Sequence, residues 1–206
     1  MHVSICGLRI CTKNSILPTR TDYGHLFTGG RALIIGASGG CGVAGLQLAR
    51  YFGASEIIGV SSAKNRDLVM REGATGHVDY ATTNFADRYG ESAAPGERFH
   101  VVYDCASGSG AGEQYKDAAL ACLRKPAKGT HGQYVAINGG IGMWARKFTI
   151  GQKANEHLFL TDVNTKDLNL LANLADVGWA DGTQKLNPIL MKVLPLDSQS
   201  QLVRKL

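Results

Sequence analysis

Several familiar chemistries are missing from this sequence. None of its seven tyrosines has a lysine four residues on, which excludes the Tyr-x-x-x-Lys pair of short-chain dehydrogenases. No Gly-Lys-Ser/Thr occurs, so there is no P-loop. The six histidines include no H-x-x-x-H pair. The five cysteines, Cys6, Cys11, Cys41, Cys105 and Cys122, form no C-x-x-C. A zinc ion needs about four ligands, roughly three of them from the protein in a catalytic site, so no metal site is expected. An odd cysteine count without disulfide-like spacing points to reduced thiols in an intracellular compartment, either the cytoplasm or an organelle such as the mitochondrion. No apolar run approaches the length of a membrane span. The first 20 residues hold no Asp or Glu but do hold His2, Arg9, Lys13 and Arg20. Organellar transit peptides share that bias, but the reading adopted for 1–30 is an irregular lead-in segment.

Clustered charge is missing as well. The chain carries a formal net charge of +5 and a pI near 9.0, but its lysines and arginines are scattered, with no basic run interleaved with aromatics. A nucleic-acid partner needs clustered positive charge, so none is expected. What the sequence does have is glycine, 26 of 206 residues. That is nearly twice the usual share of about 7% and implies tight turns or close backbone approaches. The length suits one well-cored domain.

From Arg31 onward, strand-like and helix-like segments alternate. Buried strands are expected over 31–36, 56–60, 77–80, 99–104, 133–137 and 156–160, each a short apolar run bounded by turn residues. Helices are expected over 42–52, 63–72, 113–123 and 165–177. The last has Leu168, Leu171 and Leu174 on one stripe, with Thr165 as its N-cap. The stretch 90–96 is a surface loop. Alternating strands and helices give an α/β fold: a parallel sheet, doubly wound and covered on both faces, of the Rossmann type.

The strongest motif is Gly36-Ala37-Ser38-Gly39-Gly40-Cys41-Gly42, between the first strand and the first helix of that pattern. Ala37-x-Gly39-x-x-Gly42 is a variant of the dinucleotide fingerprint. Small residues are needed there because the chain must turn sharply, a pyrophosphate must approach the backbone, and the helix must pack close to the strand. The free N–H groups at the helix start then face an anion. NAD sites usually place an acid about 20 residues past the glycine turn, to bind the ribose 2′-hydroxyl. Here that place reads Gly59-Val60-Ser61-Ser62-Ala63-Lys64-Asn65-Arg66, and the nearest acid, Glu56, opens the strand. Hydroxyls and cations suit a 2′-phosphate instead, which selects NADPH. Two more loops follow strands on the same edge, Cys105-Ala106-Ser107-Gly108 and Asn138-Gly139-Gly140. They are placed to meet a nicotinamide ribose and ring, although Cys105 also reads as a small buried hydrophobe.

Together these residues resemble the quinone oxidoreductase branch of the medium-chain dehydrogenases and reductases, the zinc-independent branch that includes the zeta-crystallin-like proteins. The stretches that carry the resemblance are RALIIGASGGCGVAGLQLAR from Arg31, LVMREGATGHVDY from Leu68, VVYDCA from Val101, Gly132 to Gly140, and LNPILMKVLPL from Leu186. The resemblance implies a nucleotide-binding Rossmann domain over 31–195. It assigns Ala37, Ser38, Gly39, Gly40, Cys41, Gly42 and Val43 to the pyrophosphate turn. Ser61 and Lys64 become the 2′-phosphate binders, Tyr80 the aromatic that closes over the adenosine phosphate, and Asn138 and Gly139 the loop near the nicotinamide. It implies NADPH as cofactor, a quinone or enone as substrate, and a homo-oligomer or a subunit of a larger complex as the working state.

The resemblance also has gaps. Whole members of the branch begin with a β-rich catalytic domain, for which residues 1–30 are too few. Residues 196–206 resemble the start of a helix that leads back to that domain. The chain alone is therefore expected to bind nucleotide without turning over substrate. No residue stands out as a general acid, and hydride addition to a quinone or enone needs mainly orientation and electrostatics. The competing expectation is a non-catalytic nucleotide-binding or scaffold subunit. Quinone turnover by the full-length native protein separates the two.

Overall fold

The structure, a computed structural model, describes residues 2–5, 8–11, 29–107, 115–125 and 132–158, together with Thr165 and Asn169, both helical. The chain divides into two units, Met1–Leu170 and Leu171–Leu206, and every described residue lies in the first. The expected helix over 165–177, apart from those two positions, lies outside the described residues, as do Gly108 and the stretches 186–196 and 196–206.

Six strands form one parallel sheet: β3 (Arg31–Ile35), β4 (Glu56–Ser61), β5 (Gly76–Asp79), β6 (Val101–Asp104), β7 (Gln133–Ala136) and β8 (Glu156–Leu158). Their spatial order is β5-β4-β3-β6-β7-β8, and every adjacent pair is parallel. This is the doubly wound arrangement expected from the sequence. The order reverses between β3 and β6, so the two halves of the sheet diverge from β3.

Alternation along each strand divides the core into two faces. Ala32 and Ile34 of β3 point to one side, where they pack with Leu46, Ala49, Val69 and Tyr103. Leu33 and Ile35 point to the other, with Val60, Phe85, Phe99, Val102 and Tyr134. Helix α1 (Gly40–Tyr51) covers the first face through Leu46 and Ala49, and α2 (Arg66–Arg71) through Val69. Helices α3 (Phe85–Tyr89) and α4 (Tyr115–Ala121) cover the second through Phe85, Tyr89 and Ala119. Helix α5 (Ile141–Thr149) lies between β7 and β8 in the chain.

Two helices depart from the expected pattern because their signals are weak. Helix α3 has five residues, too few to show a period, and rests on Asn84, whose side chain accepts from the Ala86 N–H at 3.0 Å. Helix α5 has neither a side-chain N-cap nor an acid in its first turn, and no fully buried residue. Ile141 and Phe148 on it are 89% and 69% exposed. The expected helix over 63–72 begins instead as a 3₁₀ turn, Ala63–Asn65, before α2. Within the expected loop, Pro95–Glu97 forms another such turn. The lead-in is not wholly irregular either: β1 (His2–Ile5) and β2 (Leu8–Cys11) pair antiparallel. Their apolar and β-branched residues, separated by a glycine at position 7, carry the hairpin signal that a reading of 1–30 as irregular overlooks.

Candidate functional site

The turn after β3 is tied to the sheet through its backbone. The N–H groups of Gly36 and Ala37 both donate to the Val60 carbonyl oxygen, at 3.1 and 3.0 Å, which ties the turn to the end of β4. Gly36 has φ +78°, a conformation that glycine adopts without a Cβ penalty. A Cβ there would also stand 3.3 Å from the Ala106 Cβ and the Cys105 carbonyl carbon. The tightest approach is at Gly42, where a Cβ would lie 2.2 Å from the Gly36 carbonyl oxygen and 2.7 Å from the Ala37 Cα. At Gly40, by contrast, a Cβ would meet nothing within 4 Å. The turn is thus packed on its inner side and open on its outer side. Gly39, Gly40 and Cys41 are exposed there, and α1 starts with neither a side-chain cap nor an acid in its first turn. First-turn N–H groups with no intrahelical acceptor, facing open space, fit a pyrophosphate.

Beside the turn lies a cavity of about 410 Å³, lined among others by Gly36, Ser38, Ser61, Ser62, Lys64, Asn65, Tyr80, Ala106 and Tyr115. Among the described residues no acidic side chain lines it. Tyr80, 56% exposed, and Tyr115 supply aromatic surface. Lys64 is exposed on the 3₁₀ turn. Asn65 spans the site: its Nδ2 donates to the Ser38 Oγ at 3.0 Å and to the Ser62 Oγ at 3.2 Å. Ser61 is buried, and its Oγ lies 2.9 Å from His77 Nε2 and 3.3 Å from the Ser62 carbonyl oxygen. Burial, followed by the charge of Arg66, lowers the His77 pKa below the ordinary imidazole value, and Asp79 opposes the shift.

At the end of β6, Asp104 is fully buried. Its carboxylate accepts from the N–H groups of Ala106 and Ser107 at 3.0 and 2.9 Å, from the Ser107 hydroxyl at 2.5 Å, and from the Tyr134 hydroxyl at 2.8 Å. Burial, with the Asp104 charge beside it, holds the Tyr134 hydroxyl protonated far above the usual phenol range. This network fixes the loop that carries half-buried Cys105, whose N–H donates to the Ile35 carbonyl oxygen at 2.9 Å. After β7, Asn138 Oδ1 accepts from the Gly139 N–H at 2.9 Å. A Cβ on Gly139 would meet Met143 Sδ at 3.0 Å.

Most of the residues singled out in the sequence therefore gather at the carboxyl ends of the strands. Ala37 and Val43 are buried parts of the turn's inner face, while Ser38 reaches the cavity. Lys64 and Tyr80 line the cavity directly. Ser61 lines it too, but its hydroxyl sits at hydrogen-bond distance from His77. Cys105, Asn138 and Gly139 lie on the two neighbouring strand-end loops rather than on the cavity wall. Asn65, His77, Tyr115 and Asp104 were missed. Asn65 lay in the quoted cationic stretch, but nothing in a linear reading shows that its amide reaches back to Ser38. Among the described residues no group of three or more His, Cys, Asp or Glu side chains is placed to hold a metal. Among them, too, no helix is long and apolar enough to cross a membrane.

A six-stranded parallel sheet in this order, with a glycine turn and an open helix start at its switch point, defines a Rossmann-type domain. No family model matches the chain. It is 36% identical over 99 residues to the medium chain reductase pydE of Acremonium sp, covering 48% of this chain and 27% of that protein. It is 32% identical over 94 residues to the synaptic vesicle membrane protein VAT-1 homolog of Rattus norvegicus, covering 46% of this chain and 23% of that protein. The chain thus spans about a quarter of the length of these relatives. Among solved structures, the quinone oxidoreductase from Coxiella burnetii shares the fold with a TM-score of 0.53 at 21% identity, over 76% of this chain and 44% of that one. The likeness is thus to a medium chain reductase in sequence and to a quinone oxidoreductase in fold.

Proposed function

We propose that this chain is the cofactor-binding domain of an NADPH-dependent oxidoreductase that reduces quinones or enones. The observation that carries the reading is the wall at the end of β4. Where an NAD site places a carboxylate for the ribose 2′-hydroxyl, the cavity presents Ser61, Ser62, Lys64 and Asn65 and, among the described residues, no acid. A 2′-phosphate there meets a cation and side-chain polar groups, and charge-assisted contacts of this kind are the strong ones.

When bound, the nicotinamide group supplies a hydride. The residues of this chain bind and orient. The open side of the glycine turn takes the pyrophosphate on backbone N–H groups, and Tyr80 and Tyr115 flank the adenosine. The loops at Cys105 and Asn138 stand toward the nicotinamide ribose, and the Asp104 network fixes the first of them. Positioning of this kind accounts for a large share of the rate when reacting atoms are held near contact.

The test is calorimetric titration of the 206-residue chain with NADPH and NADH. Tighter binding of NADPH by at least tenfold is expected. Equal binding of the two overturns the reading.

A further inference from the structure

One titratable group in contact with the cavity wall has no part in that reading. His77 lies on β5, next to β4, and its Nε2 stands 2.9 Å from the Ser61 Oγ. Ser61 is the last residue of β4; its side chain is buried, yet it forms part of the cavity wall. The hydroxyl has a single proton to give. With Nε2 bare, that proton goes to the imidazole or to the Ser62 carbonyl oxygen 3.3 Å away. Ser61 then offers the cavity only lone pairs, which repel an anion. With a proton on Nε2, in the Nε2–H tautomer or in the imidazolium, the polarity reverses: the ring donates to Oγ, and the hydroxyl is free to donate into the cavity. Of the two forms only the imidazolium also sets a positive charge behind it toward an anion.

We propose that His77 is a positioning residue for a phosphate monoester in this cavity, taking up one proton from solvent as the phosphate enters and, through Ser61, turning the hydroxyl into a donor toward it. The inference rests on the reading of the cavity as a 2′-phosphate site. The charges around the ring set its balance. Arg66 on α2 opposes an imidazolium and Asp79 on β5 favours it, with Lys64 on the adjoining turn adding positive charge to the same wall. In the free protein, burial and Arg66 prevail, and the ring is neutral at pH 7. A phosphate monoester brings a charge of about −1.5 to −2 at neutral pH, enough to tip the balance. Lys64 fixes that charge from the solvent side, and the Ser61–His77 pair meets it from the protein side.

Such a site binds a proton and a phosphate together. Between the His77 pKa of the free protein and its higher value in the complex, NADPH affinity falls by up to about tenfold per pH unit, while NADH affinity stays level. The experiment is calorimetric titration of the 206-residue chain with NADPH and with NADH from pH 6.5 to 8.5. Phosphate-free buffers of differing ionisation enthalpy are used, so that proton uptake is read directly. The native chain should take up a substantial fraction of a proton with NADPH near pH 7.5 and none with NADH. His77→Gln keeps an N–H beside Ser61 without titrating. It should retain NADPH binding but lose the uptake, and its NADPH-to-NADH ratio should be flat above pH 7, leaving only the titration of the phosphate itself below. His77→Asn serves as a second variant, and circular dichroism checks the fold of both. Equal proton uptake by native and His77→Gln chains overturns the inference while leaving the cofactor reading intact. No preference for NADPH at any pH overturns the cofactor reading, and the inference with it.

Discussion

The glycine turn allows a pair of substitutions whose effects should separate cleanly. At Gly42 an added methyl meets backbone on every near side: the Gly36 carbonyl oxygen at 2.2 Å, the Ala37 Cα at 2.7 Å and the Ala37 carbonyl carbon at 2.9 Å. These atoms cannot swing aside as a side-chain end can. Relief requires the turn to open, which strains the two bonds to the Val60 carbonyl oxygen. Forcing extra volume into a packed site costs about 1–3 kcal/mol, and in a chain of this size each kcal/mol lowers Tm by roughly 2–4 °C. Gly42→Ala should therefore melt about 2–12 °C lower. At Gly40 a methyl meets nothing within 4 Å, so Gly40→Ala should change stability by no more than about 0.5 kcal/mol. On the reading above, however, that empty space is where a pyrophosphate approaches. Gly40→Ala should then fold like the native chain and bind NADPH and NADH at least tenfold more weakly. Thermal melts and calorimetric titrations of the two variants decide the matter. A Gly42→Ala chain as stable as the native one would refute the packing argument. Native-like cofactor binding by Gly40→Ala would refute the placement of the pyrophosphate.

Other outcomes follow from the same geometry. Lys64→Ala should weaken NADPH binding by about 1.5–3 kcal/mol, or roughly 10- to 150-fold, and leave NADH binding unchanged in the same titration. Asp104→Ala strands four donors in a buried place. Each such donor costs about 1–3 kcal/mol, so denaturant unfolding should show a loss of at least 3 kcal/mol. His100 is pushed below the ordinary imidazole value by burial, then by Arg124 and Arg31. The unfolded chain then binds a proton that the folded chain refuses, so stability should fall as pH drops below about 6.5. His100→Gln should reduce that slope in melts between pH 5.5 and 7.5, leaving the part that His77 contributes in the same direction.

Much of the fold was legible because the sheet strands are short apolar runs separated by glycine-bearing turns. Residues 31–35 and 56–61 declare themselves in this way, and the alternation of strands with helices then leaves few topologies. Two helices were hidden. The helix at Phe85–Tyr89 is shorter than two turns and so has no period to detect. The helix at Ile141–Thr149 has no acid in its first turn and follows two glycines that read as loop. At the site, the glycine turn and the acid-free end of β4 were readable because each depends on residue type at one place in the chain. The Asn65 bridge and the His77–Ser61 pair were not. They join residues 27 and 16 positions apart, the first across two turns and the second across the neighbouring strands β4 and β5, and a linear sequence does not state which residues the fold brings together.

The bridge from Asn65 bears on how cooperatively the two ends of a bound dinucleotide are held. On the proposed reading Ser38 belongs to the turn that would face the pyrophosphate, and Ser62 to the wall that would face the ribose; a single amide, that of Asn65, bonds both. The two recognition points therefore act as a preformed chelate. A ligand that settles on one finds the other already at the right distance, and little further ordering entropy is lost for the second contact. If the amide is cut back, each half-site keeps its own chemistry, and fragments that use only one of them are held about as well as before. The intact dinucleotide alone is penalised.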